Sequence, residues 1–514
     1  MMRVLLLLFA LIANPNKAFS QYENSQKMVS VTVRYDQATA TDTLMLFVMN
    51  PLYGETPSLK NPGKKIKATM DNEGLYKFSF KTNTDIGYYM VANLNPKEGR
   101  IYTEERFVKR ARYLKKALTP LLIYESGDNV KIQISKKKVL PTYETYDPIQ
   151  LFDLSFSGEG ATKLRVWTET YYIYRKIGGS NKSFDSNHKY QDGYAKSAEA
   201  IKTYIEDHKD AMSPEAYELL MADALYKLYT PALKNGILRY YKEAEEQLSS
   251  EELENIKKAY FENVRDVLPE TDLSKETLAI SYYYFRYLVR KNIVDSYFLN
   301  GSEDPSQVFE RIMSKYSGEL RERMLTLFLY TSFGTRQFDK QLEKVIKIAR
   351  TDYCQNMLTE LKKRKTGREM VNFELEDQKG NIVSLSEFRG KVIVIDFWFT
   401  GCGACKWMFE NVLKKAEEVY QYNPSVKFIS ISVDGSRRVW ENSLKKGGYT
   451  SDKAINLFTN GEGMSHPIVS SYNIRAYPTI VIINKEGKID SYDLSDIRKE
   501  DGFKALSNQI DKLL

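Results

Sequence analysis

The spacing of apolar residues divides the chain into three stretches of different period. From Met28 to about Ile134, apolar and polar positions alternate in short runs, with Val29, Val31, Val33 and Tyr35 in the first and Leu44, Leu46 and Val48 in the next. A period of two is that of a strand with one buried face. Asp71-Asn72-Glu73-Gly74 supplies a turn into Leu75–Phe80, and Tyr88–Ala92 and Val130–Ile134 add two more strands. Strands at this spacing predict a β-sandwich. The charged insertion Thr103–Lys116 reads as a short helix. From Ala161 to about Lys365 the period lengthens to three and four, which predicts helices over Glu199–His208, Pro214–Leu228, Glu251–Val267 and Ser274–Lys291. No fixed-length repeat accompanies them, which argues against a solenoid. From Arg368 the pattern alternates between the two periods. Strands are expected at Val392–Phe399, Lys427–Val433, Thr479–Asn484 and Lys488–Leu494, with helices after Cys402, over Arg437–Lys446 and over Lys499–Leu514. The expected class is multi-domain: an N-terminal β-sandwich, an all-α middle region and a C-terminal α/β sandwich with helices on both faces. The boundaries fall at 21–160, 161–365 and 368–514.

The first twenty residues stand apart. Met1-Met2-Arg3 is a basic start, Val4–Ala13 is an apolar run too short to span a bilayer, and Ala18-Phe19-Ser20 offers small residues for cleavage before Gln21. Residues 1–20 therefore read as a cleavable secretory signal, which implies a periplasmic or secreted protein. An uncleaved signal acting as a membrane anchor is the lesser option.

Composition narrows the function. The 514 residues carry 75 basic and 67 acidic side chains, a net +8 spread along the chain, which is too diffuse for a nucleic-acid footprint. Three cysteines exclude a disulfide framework. Cys354 stands alone, as a buried thiol or a resolving one. His188 and His208 have no glutamate or histidine partners at metal-ligand spacing and read as solvated; neither a metal nor a cofactor is expected.

The candidate chemistry lies at Cys402-Gly403-Ala404-Cys405. Val392–Phe399 is continuously apolar apart from Asp396, as a strand buried on both faces would be. It breaks at Thr400-Gly401, and Lys406–Leu413 follows with helical spacing. The two cysteines thus sit where a helix begins, and the unpaired N–H groups and the dipole there favour a thiolate. Cys402, first and more exposed, is the expected nucleophile; a thiol shifted from about 8.5 to about 7 is roughly half ionised at neutral pH. Cys405, one turn on, is placed to attack a mixed disulfide on Cys402. A half-formed zinc site is the competing reading, but zinc needs four ligands and the other candidates, Cys354 and His466, are remote in sequence.

These motifs, with Asp396-Phe397-Trp398 before the cysteines and Ile474-Arg475-Ala476-Tyr477-Pro478-Thr479 after them, resemble the thioredoxin fold. Phe373-Glu374-Leu375, Asp377–Asn381 and Leu385–Lys391 narrow the resemblance to its TlpA-like branch, over about the last 145 residues. The resemblance implies a thiol-disulfide oxidoreductase, most simply a reductase of exported protein disulfides recharged by a membrane thiol donor. An oxidase or isomerase with the same residues is the alternative, and a non-catalytic binding module is another. It places a buried proton acceptor at Asp396, a packing tryptophan beneath the site at Trp398, and a cis peptide at Tyr477-Pro478 that offers backbone to substrate. Three departures stand out: Gly401 replaces a tryptophan and opens the rim, Ala404 replaces a proline, and Met408 replaces a glutamate, with Glu410 displaced by two positions. The segments Glu125–Val130 and Leu154–Gly160 resemble the small β domain found ahead of such modules, which implies docking or binding for 21–160.

Overall fold

A computed structural model describes residues 28–39, 42–49, 63–82, 84–93, 117–138, 148–178, 193–245, 247–265, 273–301, 304–332, 337–362, 366–472, 474, 477–492, 497 and 501–514. The leader at 1–20 and the insertion at 103–116 lie outside the described residues.

Eight strands build two four-stranded sheets. They are β1 (Val29–Tyr35), β2 (Thr43–Met49), β3 (Gly63–Thr69), β4 (Tyr76–Phe80), β5 (Ile86–Asn93), β6 (Leu122–Glu125), β7 (Asn129–Lys136) and β8 (Phe152–Glu159). One sheet runs β4-β1-β7-β8, the other β3-β2-β5-β6. Alternation works as it does in the sequence: Val29, Val31, Val33 and Tyr35 point inward while their neighbours are more open. β3 escapes the sequence pattern, because its Gly63-Lys64-Lys65-Ile66-Lys67 carries almost no apolar signal.

The β and α regions share one hydrophobic core. β5 is buried along its whole length, and its Tyr88 hydroxyl donates to buried Asp223 in the helix Pro214–Tyr229 at 2.7 Å. Lys163, in the helix Ala161–Ile177, reaches back to Asp128 and Glu125 at 2.7 and 3.0 Å. The helix can enter so close only because Gly160 has no side chain: a Cβ there would sit 2.0 Å from Asp128 Oδ1. The single helix expected over Ser274–Lys291 is in fact two, Lys275–Ile280 and Tyr284–Asn300. The break has a cause. Ser281 Oγ and the Tyr283 N–H donate to Asp223, and the Tyr282 N–H donates to the Tyr88 hydroxyl, so backbone groups serve the buried cluster instead of a helix.

The C-terminal sheet has seven strands: β9 (Glu374–Glu376), β10 (Ile382–Ser384), β11 (Val392–Trp398), β12 (Val426–Ser432), β13 (Ile455–Phe458), β14 (Thr479–Ile483) and β15 (Ile489–Tyr492). Their order is β10-β9-β13-β12-β11-β14-β15. β11 lies inside, parallel to β12 and antiparallel to β14, with every residue buried. Separate apolar clusters cover its two faces: Ile393, Ile395 and Phe397 face one, Val392 and Val394 the other. That arrangement aims the C-terminal end of β11 at a single point on the surface, where the cysteines follow.

Candidate active site

Thr400 makes the turn out of β11. Its N–H and Oγ1 both donate to buried Asp434, at 3.1 and 2.7 Å, and Ser432 Oγ donates to the same carboxylate. Gly401 follows at φ 91°, in the region that disfavours side chains. A Cβ there would touch nothing within 4 Å, so the constraint is backbone strain and not crowding. Gly401→Ala is therefore expected to cost roughly 1 kcal/mol of stability, read as a lowered urea midpoint. An unchanged midpoint would show that the turn relaxes without strain.

Cys402 caps the helix Gly403–Met408, which continues through a π turn, Phe409–Leu413, into Lys414–Tyr420. Its Sγ accepts from the Cys405 N–H at 3.1 Å. The same donor would steady a thiolate after reduction. Cys402 and Cys405 are joined as a disulfide. Cys402 is 6% exposed and Cys405 2%, so the expected order holds but the contrast is small. The Tyr477-Pro478 peptide is cis, and the Tyr477 carbonyl lies 3.7 Å from Cys402 Sγ. The Tyr477 ring packs edge-on against Phe399, and burial pushes its hydroxyl pKa up.

Trp398 is fully buried, with Nε1 donating to Ser430 Oγ at 2.7 Å. Its ring stacks on Tyr449 at 4.9 Å, and the Tyr449 hydroxyl accepts from the Gly401 N–H at 2.9 Å. Tyr449 thus lines the rim that the missing tryptophan at 401 leaves open. The sequence reading overlooked it because it lies 48 residues away on a loop. The helix Arg437–Lys446 supports the same corner, with Trp440 stacked on Phe458.

Asp396 is 5% exposed, and among the described residues its Oδ1 has no hydrogen-bond partner. Burial, and then the charge of Glu417, hold its carboxyl well above the usual range. Glu417 is 4% exposed and accepts from Ser451 Oγ at 2.5 Å; burial pushes it up to about 7. Sequence reasoning passed over Glu417 as one charge in Lys414-Lys415-Ala416-Glu417-Glu418. Its phase was the available signal: four residues after Leu413 and three before Tyr420, it falls on the apolar face of the helix.

The remaining candidates stay apart from this site. Cys354 is a buried free thiol in the helix Asp352–Lys362, and burial holds its pKa well above the ordinary thiol value, which argues against a resolving role. His466 caps a short turn through Nδ1 to the Ile468 N–H, and burial lowers its pKa. Among the described residues no group of three or more acidic, histidine or cysteine side chains is placed to hold a metal.

Residues 390–489 match the family model described as Thioredoxin-like. This is a thioredoxin-like domain. A thiol-disulfide oxidoreductase ResA from Bacillus subtilis is 26% identical over 123 residues, which are 24% of this chain and 64% of that protein. ResA of Bacillus thuringiensis is 26% identical over 161 residues, 31% of this chain and 84% of its own length. The chain thus spans under two thirds of the length of the Bacillus subtilis relative. Among solved structures, the thioredoxin domain of a thiol-disulfide oxidoreductase from Bacteroides vulgatus is 26% identical, covers 28% of this chain and 98% of that one, and has a TM-score of 0.24. A thiol-disulfide oxidoreductase from Bacteroides fragilis is 25% identical, covers 29% and 100%, and has a TM-score of 0.25. The thioredoxin-like domain carries the dithiol at a helix start, with the cis Tyr477-Pro478 peptide against Cys402, and Asp396 buried within β11.

Proposed function

We propose that the chain is an exported thiol-disulfide oxidoreductase that reduces disulfides in other exported proteins and is recharged by a membrane thiol donor. The observation that carries the reading is the Cys402–Cys405 pair at a helix start, against the Tyr477 carbonyl. The relatives' thiol-disulfide oxidoreductase names support it, and the basic-apolar-small pattern of residues 1–20 supports export to the periplasm. In this reading Cys402 thiolate attacks a substrate disulfide laid along the Tyr477-Pro478 edge. Cys405 then displaces the substrate sulfur, and Asp396 takes the Cys405 proton. Trp398 and Gly401 shape the floor and rim of that edge.

The direction of electron flow depends on the potential of the pair. An oxidase or isomerase would use the same residues at a higher potential, and reference dithiols span about −270 to about −120 mV, roughly 7 kcal/mol. Titrating the Cys402–Cys405 pair against glutathione, in a Cys354→Ser background, is expected to give a potential near the reducing end. A value near −120 mV would reverse the direction of electron flow. The absence of a reversible couple would leave only a binding module.

A further inference from the structure

We propose that Glu417 is the outer half of a two-carboxylate proton relay, accepting the proton that Asp396 gives up as Asp396 takes one from Cys405. This rests on the reading of Cys402 and Cys405 as an exchanging dithiol.

Two requirements on Asp396 conflict. A carboxylate that is to accept a proton from Cys405 must first be ionised, yet Asp396 is buried, its Oδ1 has no partner among the described residues, and burial and the charge of Glu417 both work against its ionised form. Alone it would be a poor base at neutral pH. The structure places a second carboxyl beside it. Asp396 and Glu417 line one small cavity of about 10 Å³, together with Ser430, Tyr449 and Thr450. That is room for roughly one water. Asp396 comes from β11 and Glu417 from the same helix that carries Cys405.

Two buried carboxyls this close titrate as a pair and do not both ionise. Asp396, whose Oδ1 receives no donor among the described residues while Glu417 accepts from Ser451, keeps the shared proton, and Glu417 carries the charge. The surroundings of Glu417 agree with that division. Ser451 donates to it, Lys453 favours its ionised form, and Asp452 and Glu418 oppose it. From β12 the cavity receives only Phe428, Ile429 and Ser430, none of them charged. Of the acids facing Asp396, Glu417 is the one that acts on it.

The step then balances. Cys405 Sγ forms its bond to Cys402 Sγ as the Cys402–substrate bond breaks, and the substrate sulfur leaves with the electron pair as a thiolate. The Cys405 proton passes to Asp396 and the Asp396 proton to Glu417, so the pair goes from one proton to two. The dithiol has lost two electrons and the substrate disulfide has gained them. Glu417 touches neither sulfur; it is a positioning residue for the proton.

The test uses the reduced full chain carrying Cys354→Ser, mixed with dithiobis(nitrobenzoate) at pH values from about 5 to 9. The first nitrothiolate released reports Cys402 and the second reports Cys405. The second rate is expected to rise with pH through a midpoint near the Glu417 value of about 7. In Glu417→Gln the amide cannot take the proton, so the midpoint moves up by at least about one pH unit and the second rate near pH 6.5 falls roughly tenfold. The first release is unchanged. Glu417→Asp restores part of the limb, and Asp396→Asn removes it. A Glu417→Gln profile that superimposes on the parent's overturns the relay, whatever happens to thermal stability. A parent that releases no nitrothiolate overturns the dithiol reading, and the relay with it.

Discussion

Serine at position 402 is expected to abolish disulfide exchange, lowering turnover by about a thousandfold or more, while serine at 405 should stop the reaction halfway. A hydroxyl is not ionised at neutral pH and forms no stable bond to sulfur, so Cys402→Ser removes the nucleophile outright. Cys405 offers no replacement: it is 2% exposed, less than Cys402. Cys405→Ser keeps the attacking thiol and the Tyr477 edge and loses only the group that resolves the mixed disulfide. That variant should accumulate covalent adducts with protein substrates, visible on non-reducing gels and released by dithiothreitol. The free thiol at Cys354 does not confuse the assay, because burial suppresses its ionisation. The measurement is turnover of a protein disulfide with a dithiol regenerant. Residual activity of more than a few per cent in Cys402→Ser would mean that the chemistry lies elsewhere.

The parts of this fold legible in the sequence are those where one local pattern decides the outcome. Val392–Trp398 is a run of apolar and aromatic residues, and a strand interior to a sheet with apolar clusters on both faces requires that. The capping residues read equally well: Ser213 accepts from the Ala216 N–H at the start of the helix Pro214–Tyr229. What was not legible depends on distant partners. β13 is four residues, Ile455–Phe458, too short for a period to register, and it exists because β12 offers it a parallel edge. The helix break at Ser281–Tyr283 is set by Asp223 and Tyr88, which lie 58 to 194 residues away. The shared core of the β and α regions also rests on such contacts, and an alternation pattern says nothing about which element covers a strand's second face. At the site, the cysteines were visible from spacing alone, and Asp396 from its place in the motif. Glu417 and Tyr449 were not, since neither belongs to a motif and both owe their position to the packing of the helix and loop around β11.

Glu417 also governs how stability depends on pH, through an effect that does not require turnover. Its folded value, about 7, lies above the ordinary value of 4.5 expected in the unfolded chain. Between those values the folded state binds the proton more tightly, so stability is fully present below about pH 4.5 and is lost as pH rises through about 7. A difference of about 2.5 pH units corresponds to roughly 3 kcal/mol. Glutamine is neutral throughout, fits the same space and leaves its amide oxygen to accept from Ser451. Glu417→Gln is therefore expected to match the parent near pH 4.5 and to exceed it by up to about 3 kcal/mol at pH 8. Urea unfolding followed by tryptophan emission can read this, because Trp398, Trp407 and Trp440 are three of the four tryptophans and all lie in this domain. Asp396→Asn should shift stability in the same direction, since burial and the Glu417 charge both raise that carboxyl. A Glu417→Gln gain of equal size at pH 5 and pH 8 would show that the variant merely packs better. A loss at pH 8 would mean that the Glu417 carboxylate is stabilised in the fold, and then it could not be the group that gives up its charge when Cys405 is deprotonated.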